Sequence, residues 1–331
     1  QIKLGKQLLN KCYQYNFVHY HTLLITVLMN NTWFLIINPN AGNGKFVQHF
    51  EKIKLLLKEF NIKYLYQFTE EPKQEYQLVQ RAIAEGHRNF MVVGGDGTLH
   101  HIVNGIMKQH YCPSTQITLS VLPQGTGNDW VKTHNIPHEY REVLELMNTG
   151  SRIQQDIGLI ELETTKAYFA NVAGIGYDAY VVKKLKKLKR LGPIAYLISG
   201  LWGLLFYKKT RITVQSENQH HDFKTLMTLF GICRYSAGGM QLTAYSSFDN
   251  GLLDISHVQS FSVLELLLHL PQLYSGRIVK HRKVRSFKTT KIKLTPSVPE
   301  HTYLQADGEL IGKGPAVVSL IPKAINFISK A

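Results

Sequence analysis

The chain has 331 residues, 44% of them hydrophobic and 18% charged, a composition that excludes a disordered chain and leaves room for two folded domains. Its 38 Lys and Arg against 23 Asp and Glu give a formal charge of +15, a balance that favours an anionic partner, either a membrane surface or nucleic acid. Cys12, Cys112 and Cys233 form no CxxC pair or zinc spacing, so free thiols in a reducing, cytoplasmic setting are expected, and no apolar run reaches the roughly 20 residues of a membrane span.

Residues 1–28 carry apolar side chains without a period and are read as an extension ahead of the fold, since a secretory signal would close in small residues. Residues 32–37 read as a buried strand. It runs into the turn-rich Asn38-Pro39-Asn40-Ala41-Gly42-Asn43-Gly44-Lys45. A helix follows with Phe46, Phe50, Ile53, Leu57 and Phe60 on one face. A strand over 62–68 and a helix over 74–85 come next. The strand over 90–93 empties into Gly94-Gly95-Asp96-Gly97-Thr98, and the helix after it places Leu99, Ile102, Val103, Ile106 and Met107 on one stripe. The strand over 117–122 ends in Pro123-Gln124-Gly125-Thr126-Gly127-Asn128-Asp129. This alternation predicts βαβ units and a largely parallel sheet, with three glycine-rich loops at strand carboxyl ends lining one crevice. Beyond about residue 150, short strands over 153–162, 167–173, 210–216, 225–233, 252–258, 290–295, 302–306 and 316–321 predict an antiparallel β domain. A basic and apolar helical region at 179–208 interrupts it.

The glycine loops suit phosphate chemistry. Glycine lets the backbone turn sharply and approach a ligand, a helix start offers free N–H groups to an anion, and Asp96 suits a magnesium ion. The 38–45 loop is no P-loop, because Phe46 stands where Ser or Thr would bind magnesium and no glycine lies five residues before Gly44. A plain βα turn and a phosphate loop stay equally open there. At Asp307-Gly308-Glu309 two readings are compatible: a hairpin turn and a carboxylate able to take a proton from a substrate hydroxyl. The run Lys183-Lys184-Leu185-Lys186-Lys187-Leu188-Lys189-Arg190, followed by the apolar 193–207 with Trp202, Phe206 and Tyr207, reads as a solvated face before a core helix or as a membrane-surface element. A second basic run, Lys280-His281-Arg282-Lys283-Val284-Arg285, favours the membrane reading.

Taken in order, Asn38-Pro39…Gly42, Gly94–Thr98, Gly125–Asp129, Asp156-Ile157-Gly158, 171–178 and Asp307-Gly308-Glu309 resemble the diacylglycerol kinase catalytic-domain family, from residue 30 to the C-terminus. The resemblance implies an α/β N-terminal domain like those of NAD kinase and phosphofructokinase, then an all-β antiparallel sandwich, with the site between them. It divides the chain into 29–155 for nucleotide, 156–321 for lipid, and 322–331 as a segment returning to the first domain. It implies ATP- and magnesium-dependent phosphorylation of a lipid hydroxyl, of diacylglycerol or a sphingoid-type lipid, by a protein peripheral to an anionic membrane and not bound to nucleic acid.

By position, Asn38, Pro39, Asn40, Ala41, Gly42, Thr69, the stretch Gly94, Gly95, Asp96, Gly97, Thr98 to Asn104, and Gly125 and Thr126 would contact ATP. Asp96 would organise magnesium with Asp129 and Glu309. Either Glu309 or Asp307 would accept the substrate proton, and Asp156 would be a substrate-side acid. A second, structural magnesium would sit at Ser247, Asn250 and Leu252, although Asn250 stands where the family has an acid and Leu310 where it often has Pro. The rival readings are a NAD kinase, which explains the first glycine–aspartate loop alone, a nucleic-acid binder using the lysine runs, and a non-catalytic lipid-binding relative. Which lipid is taken and the oligomeric state, a homodimer included, stay open.

Overall fold

The computed structural model describes residues 31–125, 127–185, 200, 203–217 and 219–330. The extension 1–28, Thr126, Cys12 and the Lys186–Arg190 part of the basic run lie outside the described residues. The first half alternates β1 (Trp33–Ile37), α1 (Lys45–Glu59), β2 (Tyr64–Phe68), α2 (Glu75–Ala84), β3 (Asn89–Gly94), α3 (Asp96–Lys108) and β4 (Thr118–Pro123). Two short helices follow, α4 (Asp129–Thr133) and α5 (Tyr140–Thr149). β1, β3 and β4 pair side by side in parallel, with β2 at the outer edge. β3 and β4 are buried along their whole length, as central strands covered by helices on both faces must be. α1 turns Phe46, Phe50, Ile53 and Leu57 into that core, and it stops where Asn61 takes a left-handed conformation, φ 54°.

The second half is antiparallel: β5 (Ser151–Glu161), β6 (Lys166–Phe169), β7 (Val172–Gly176), α6 (Tyr177–Leu185), β8 (Thr210–Gln215), β9 (His220–Gly231), β10 (Leu253–Gln259), α7 (Val263–Leu268), α8 (Leu270–Ser275), β11 (Val284–Thr289), β12 (Lys291–Pro296), β13 (Tyr303–Ala306), β14 (Glu309–Lys313) and β15 (Ala316–Ser329). The division into an α/β unit and an antiparallel β unit is the one expected from the sequence. Four features differ from expectation. The 167–173 strand is two, β6 and β7, because the amides of Ala170 and Asn171 between them turn aside to the Asp307 carboxylate. The strand at 225–233 begins earlier, at His220, as the return arm of a β8–β9 hairpin. β11, α7 and α8 fill the stretch between the expected strands 252–258 and 290–295, where the sequence singles out only the basic run 280–285. The last strand runs on to Ser329.

β15 is the seam of the molecule. Its first part pairs antiparallel with β12 and its end pairs in parallel with β4, while β5 follows it along both parts. The 15 strands therefore form one connected sheet, and a single hydrophobic core runs from Phe34 to Ile328 through both halves. Truncating one of its fully buried members, such as Ile53 or Phe327, to alanine removes contacts worth about 2–5 kcal/mol. A second, smaller core lies outside it, where α6, Leu204, α8 and the 278–284 segment cover β9 and β10. Among the described residues no helix is long and apolar enough to cross a membrane.

Candidate active site

The glycine loops meet at the carboxyl end of the parallel strands. The turn after each strand bonds to its neighbour: Asn38 N–H donates to Val93 O at 3.0 Å, Thr69 N–H to Ile37 O at 2.8 Å and Gln124 N–H to Gly94 O at 2.8 Å. Side chains would not fit in between. A Cβ on Gly95 would lie 2.9 Å from the Cα of Gly125, and one on Gly42, whose φ is +59°, would lie 2.6 Å from Gln124 O. Backbone thus packs on backbone across the three loops. The first turn of α3 opens into the crevice they form, with its unpaired N–H groups and positive dipole end. The Asn38 amide bridges two elements there: Nδ2 donates to Thr98 Oγ1 at 3.2 Å and to Glu75 Oε1 at 3.3 Å, while Oδ1 accepts from Asn40 N–H at 3.0 Å.

Carboxylates surround that helix start. Asp96 is half-buried and accepts two amides from the start of α4, Asp129 N–H at 3.2 Å and Trp130 N–H at 3.3 Å. Burial first, and then the neighbouring Asp129 charge, lift its carboxyl to about 6; the two amides pull the other way. Asp129 accepts from Gly238 N–H at 2.8 Å and lies 3.4 Å from Lys132 Nζ. A Cβ on Gly127 would lie 3.0 Å from Asp96 Oδ2 and 3.7 Å from Asp129 Oδ2, so the two acids flank that glycine.

The hairpin between β13 and β14 arrives from the other half. Asp307 and Gly308 both have positive φ, 50° and 81°, the conformation of a two-residue Asp-Gly hairpin turn. Their turn separates the fates of its two acids. The Asp307 side chain is 4% exposed and engaged on both oxygens, accepting from Asn171 N–H at 2.9 Å and Ala170 N–H at 3.0 Å and lying 3.1 Å from His100 Nδ1. Glu309 is partly exposed, and among the described residues its carboxylate takes no hydrogen bond. Its Oε1 lies where a Cβ on Gly97 would be 3.8 Å away, beside the first turn of α3 and one residue past Asp96.

Two family models match this arrangement: the diacylglycerol kinase catalytic domain over residues 32–160 and the YegS C-terminal NAD kinase β sandwich-like domain over 171–329. The chain belongs to the diacylglycerol kinase family. It is therefore a phosphotransferase of the lipid-kinase type, with an α/β catalytic domain and a β sandwich. A diacylglycerol kinase of Staphylococcus carnosus is 27% identical over 285 residues, covering 85% of this chain and 90% of its own length. One from Staphylococcus aureus is 28% identical and covers 85% and 87%. Two crystal structures of Bacillus anthracis proteins share the fold, with TM-scores of 0.74 and 0.69 at 21% and 19% identity, each covering 91% of this chain and 97% of theirs.

Other residues singled out in the kinase sequence take different places. Pro39 to Gly42, Thr69, Gly94, Gly95 and Gly125 line the loops described above; Thr126 lies outside the described residues. Asn104 is turned away from the crevice, its amide spent on Tyr168, donating to Tyr168 O at 2.8 Å and accepting from Tyr168 N–H at 2.9 Å. Asp156 is 0% exposed, with one oxygen on Gly251 N–H and the other on Lys323 N–H. As placed, it ties the 248–251 loop to β15 and offers a substrate no free oxygen. In the 247–252 loop the Asn250 side-chain oxygen accepts Leu252 N–H at 3.0 Å, and the Ser247 hydroxyl donates to Asp249 at 2.8 Å. Among the described residues no three His, Cys, Asp or Glu side chains gather at metal-ligand spacing.

Sequence reasoning passed over Glu75 and Lys132, and gave His100 no role of its own within the stretch from Gly94 to Asn104. Glu75 opens α2 yet is 3% exposed, and burial pushes its carboxyl up. Its only sequence signal is an acid in the first turn of a helix following a strand that ends in the crevice. His100 lies four residues after Asp96 on α3, so the helical period alone places it on the same side.

Proposed function

We propose that the kinase transfers the terminal phosphoryl group of ATP to the hydroxyl of a diacylglycerol-class lipid at a membrane surface, with magnesium. The observation that carries the reading is the Glu309 carboxylate, unpartnered among the described residues, beside the first turn of α3 and close to the acids Asp96 and Asp129. Phosphoryl transfer asks little covalent chemistry of a protein; it needs a cradle for phosphates, neutralised charge and an oriented nucleophile. The glycine loops and α3 amides supply the cradle.

Asp96 and Asp129 suit magnesium, a hard cation held by one or two carboxylates together with substrate phosphates and water. Burial presses two like charges together there, with Lys132 opposing only one, and a divalent cation relieves that repulsion. When bound, magnesium supplies charge neutralisation for the phosphates. We assign it to this pair alone, since Ser247 is bonded to Asp249 and the Asn250 side-chain oxygen to the Leu252 amide. Glu309 accepts the proton of the lipid hydroxyl. Asp307 holds the hairpin so that Glu309 faces α3. Asp156 is assigned to holding its loop. Exposed Lys183, Lys184, Lys280 and Arg282 draw the enzyme to anionic headgroups.

Incubation with labelled ATP, magnesium and mixed micelles is expected to label diacylglycerol or a related lipid alcohol. A panel of glycerolipid, sphingoid and ceramide acceptors that all stay unlabelled would refute the reading. Family membership does not favour the rival readings; formation of NADP from NAD, or tight duplex DNA binding that weakens with salt together with no vesicle binding, would revive them.

A further inference from the structure

We infer that the outer face of α7, with the neighbouring turn at 203–206, is the surface that inserts into an anionic bilayer. The inference rests on the lipid-kinase reading and names the element by which the enzyme meets its substrate's membrane. α7 starts from a capping box: Ser262 Oγ accepts Glu265 N–H at 3.2 Å and Glu265 Oε2 accepts Ser262 N–H at 2.8 Å. Val263, Leu266 and Leu270 pack inward on the second core. Leu264, Leu267 and Leu268, spaced i, i+3, i+4, point the other way and are 68%, 47% and 69% exposed.

The adjoining segment repeats the pattern. Leu204 is in the same core, while Leu205 and Phe206 are 60% and 71% exposed. Lys209 Nζ donates to Ser260 Oγ and Phe261 O, which holds this segment against the residues leading into α7. Single exposed leucines are ordinary. Five large apolar side chains on two segments over one small core form a patch of the kind that marks an interaction surface.

Charge selects the occupant. Between Phe261 and Lys288 stand six Lys and Arg, namely Arg277, Lys280, Arg282, Lys283, Arg285 and Lys288, against one acid, Glu265. That acid is already paired with Lys283 Nζ. Lys208, Arg277, Lys280 and Arg282 are exposed around the apolar patch. An apolar stripe with a cationic rim and no free acid matches the headgroup–acyl boundary of an anionic membrane. A second copy of the chain would bring the same cations face to face, a repulsive arrangement in a two-fold contact. The second core also leads toward the chemistry. Its member Tyr177 begins α6, which packs on β13 and β14, the arms of the Glu309 hairpin, with Lys183 Nζ 3.8 Å from the Tyr303 ring centroid.

The test is sedimentation with phosphatidylcholine vesicles, with and without phosphatidylglycerol, across a salt series. Leu264→Ser/Leu268→Ser is expected to bind mixed vesicles about tenfold more weakly or worse at every salt concentration. Arg277→Gln/Lys280→Gln is expected to weaken binding mainly at low salt. In Leu268→Trp, fluorescence is expected to shift to the blue and to be quenched by brominated phosphatidylcholine more than in wild type. Wild-type binding by the Leu264/Leu268 variant, unquenched fluorescence in Leu268→Trp, or a dimer that the leucine changes convert to monomer would overturn the inference. Wild-type turnover of a water-soluble, short-chain diacylglycerol tests the underlying reading separately: no phosphorylation there refutes the lipid-kinase activity, whatever the vesicles show.

Discussion

Two acids separated by one glycine, Asp307 and Glu309, have opposite surroundings, and the difference is a matter of hydrogen bonds. Asp307 is satisfied by two amides and faces a histidine; Glu309 has no such partners among the described residues. Asp307→Ala leaves the amides of Ala170 and Asn171 buried without acceptors and is expected to cost about 3 kcal/mol of stability, read as a lowered denaturation midpoint. An unchanged midpoint would refute its structural role. A second residue, Asp178, sets a pH dependence away from the site. Gln305 Nε2 donates to Oδ2 at 2.9 Å, and Oδ1 is shielded from solvent with no partner among the described residues. Burial raises its carboxyl from 3.8 to about 6. The folded state therefore holds the proton more tightly than the unfolded chain does. That contribution is complete below about pH 4 and is lost as pH rises through 6, where the buried charge costs roughly 3 kcal/mol. Asp178→Asn is expected to be more stable than wild type at pH 7.5 and no more stable at pH 4. Equal stability curves at both pH values would contradict this.

At the scale of elements, the three glycine loops work because backbone touches backbone. A methyl group on Gly95 must separate its loop from Gly125, whose Cα would lie only 2.9 Å away. Gly95→Ala is therefore expected to cost about 1–3 kcal/mol and to raise the KM for ATP well above that of Gly200→Ala, where a Cβ meets nothing within 4 Å. Comparable KM values in the two variants would show that the close approach is unimportant. These loops were legible in the sequence because glycine, aspartate and strand ends carry local signals. Residue roles set by distant partners were not. Asn104 follows Asp96 on the same helix and reads as part of one motif, yet its amide belongs to Tyr168 in the other half. Asp156 reads as an acid in a motif and is spent on Gly251 and Lys323. The break between β6 and β7 comes from Asp307, more than 130 residues away in sequence. α7 did leave a signal, the Ser262–Glu265 capping box, but the leucines and basic residues around it obscured the helix.

Over the whole molecule, β15 joins the halves that local patterns divide. Its pairing with β4, β5 and β12 and the continuous core make independent unfolding of the α/β half unfavourable. A single calorimetric transition is expected, and Phe327→Ala, in the part of β15 that pairs with β4, is expected to lower its temperature without splitting it. Two resolved transitions would contradict the seam. The same joining is what brings Glu309, from the second half, to Asp96, from the first. The most direct test of that placement is steady-state phosphorylation of a short-chain diacylglycerol by wild type and Glu309→Gln at saturating ATP and magnesium. The expected result is kcat lowered by roughly 10²–10⁴ with the folding midpoint unchanged, the loss typical of removing a general base. A Glu309→Gln enzyme that turns over at the wild-type rate would contradict the account.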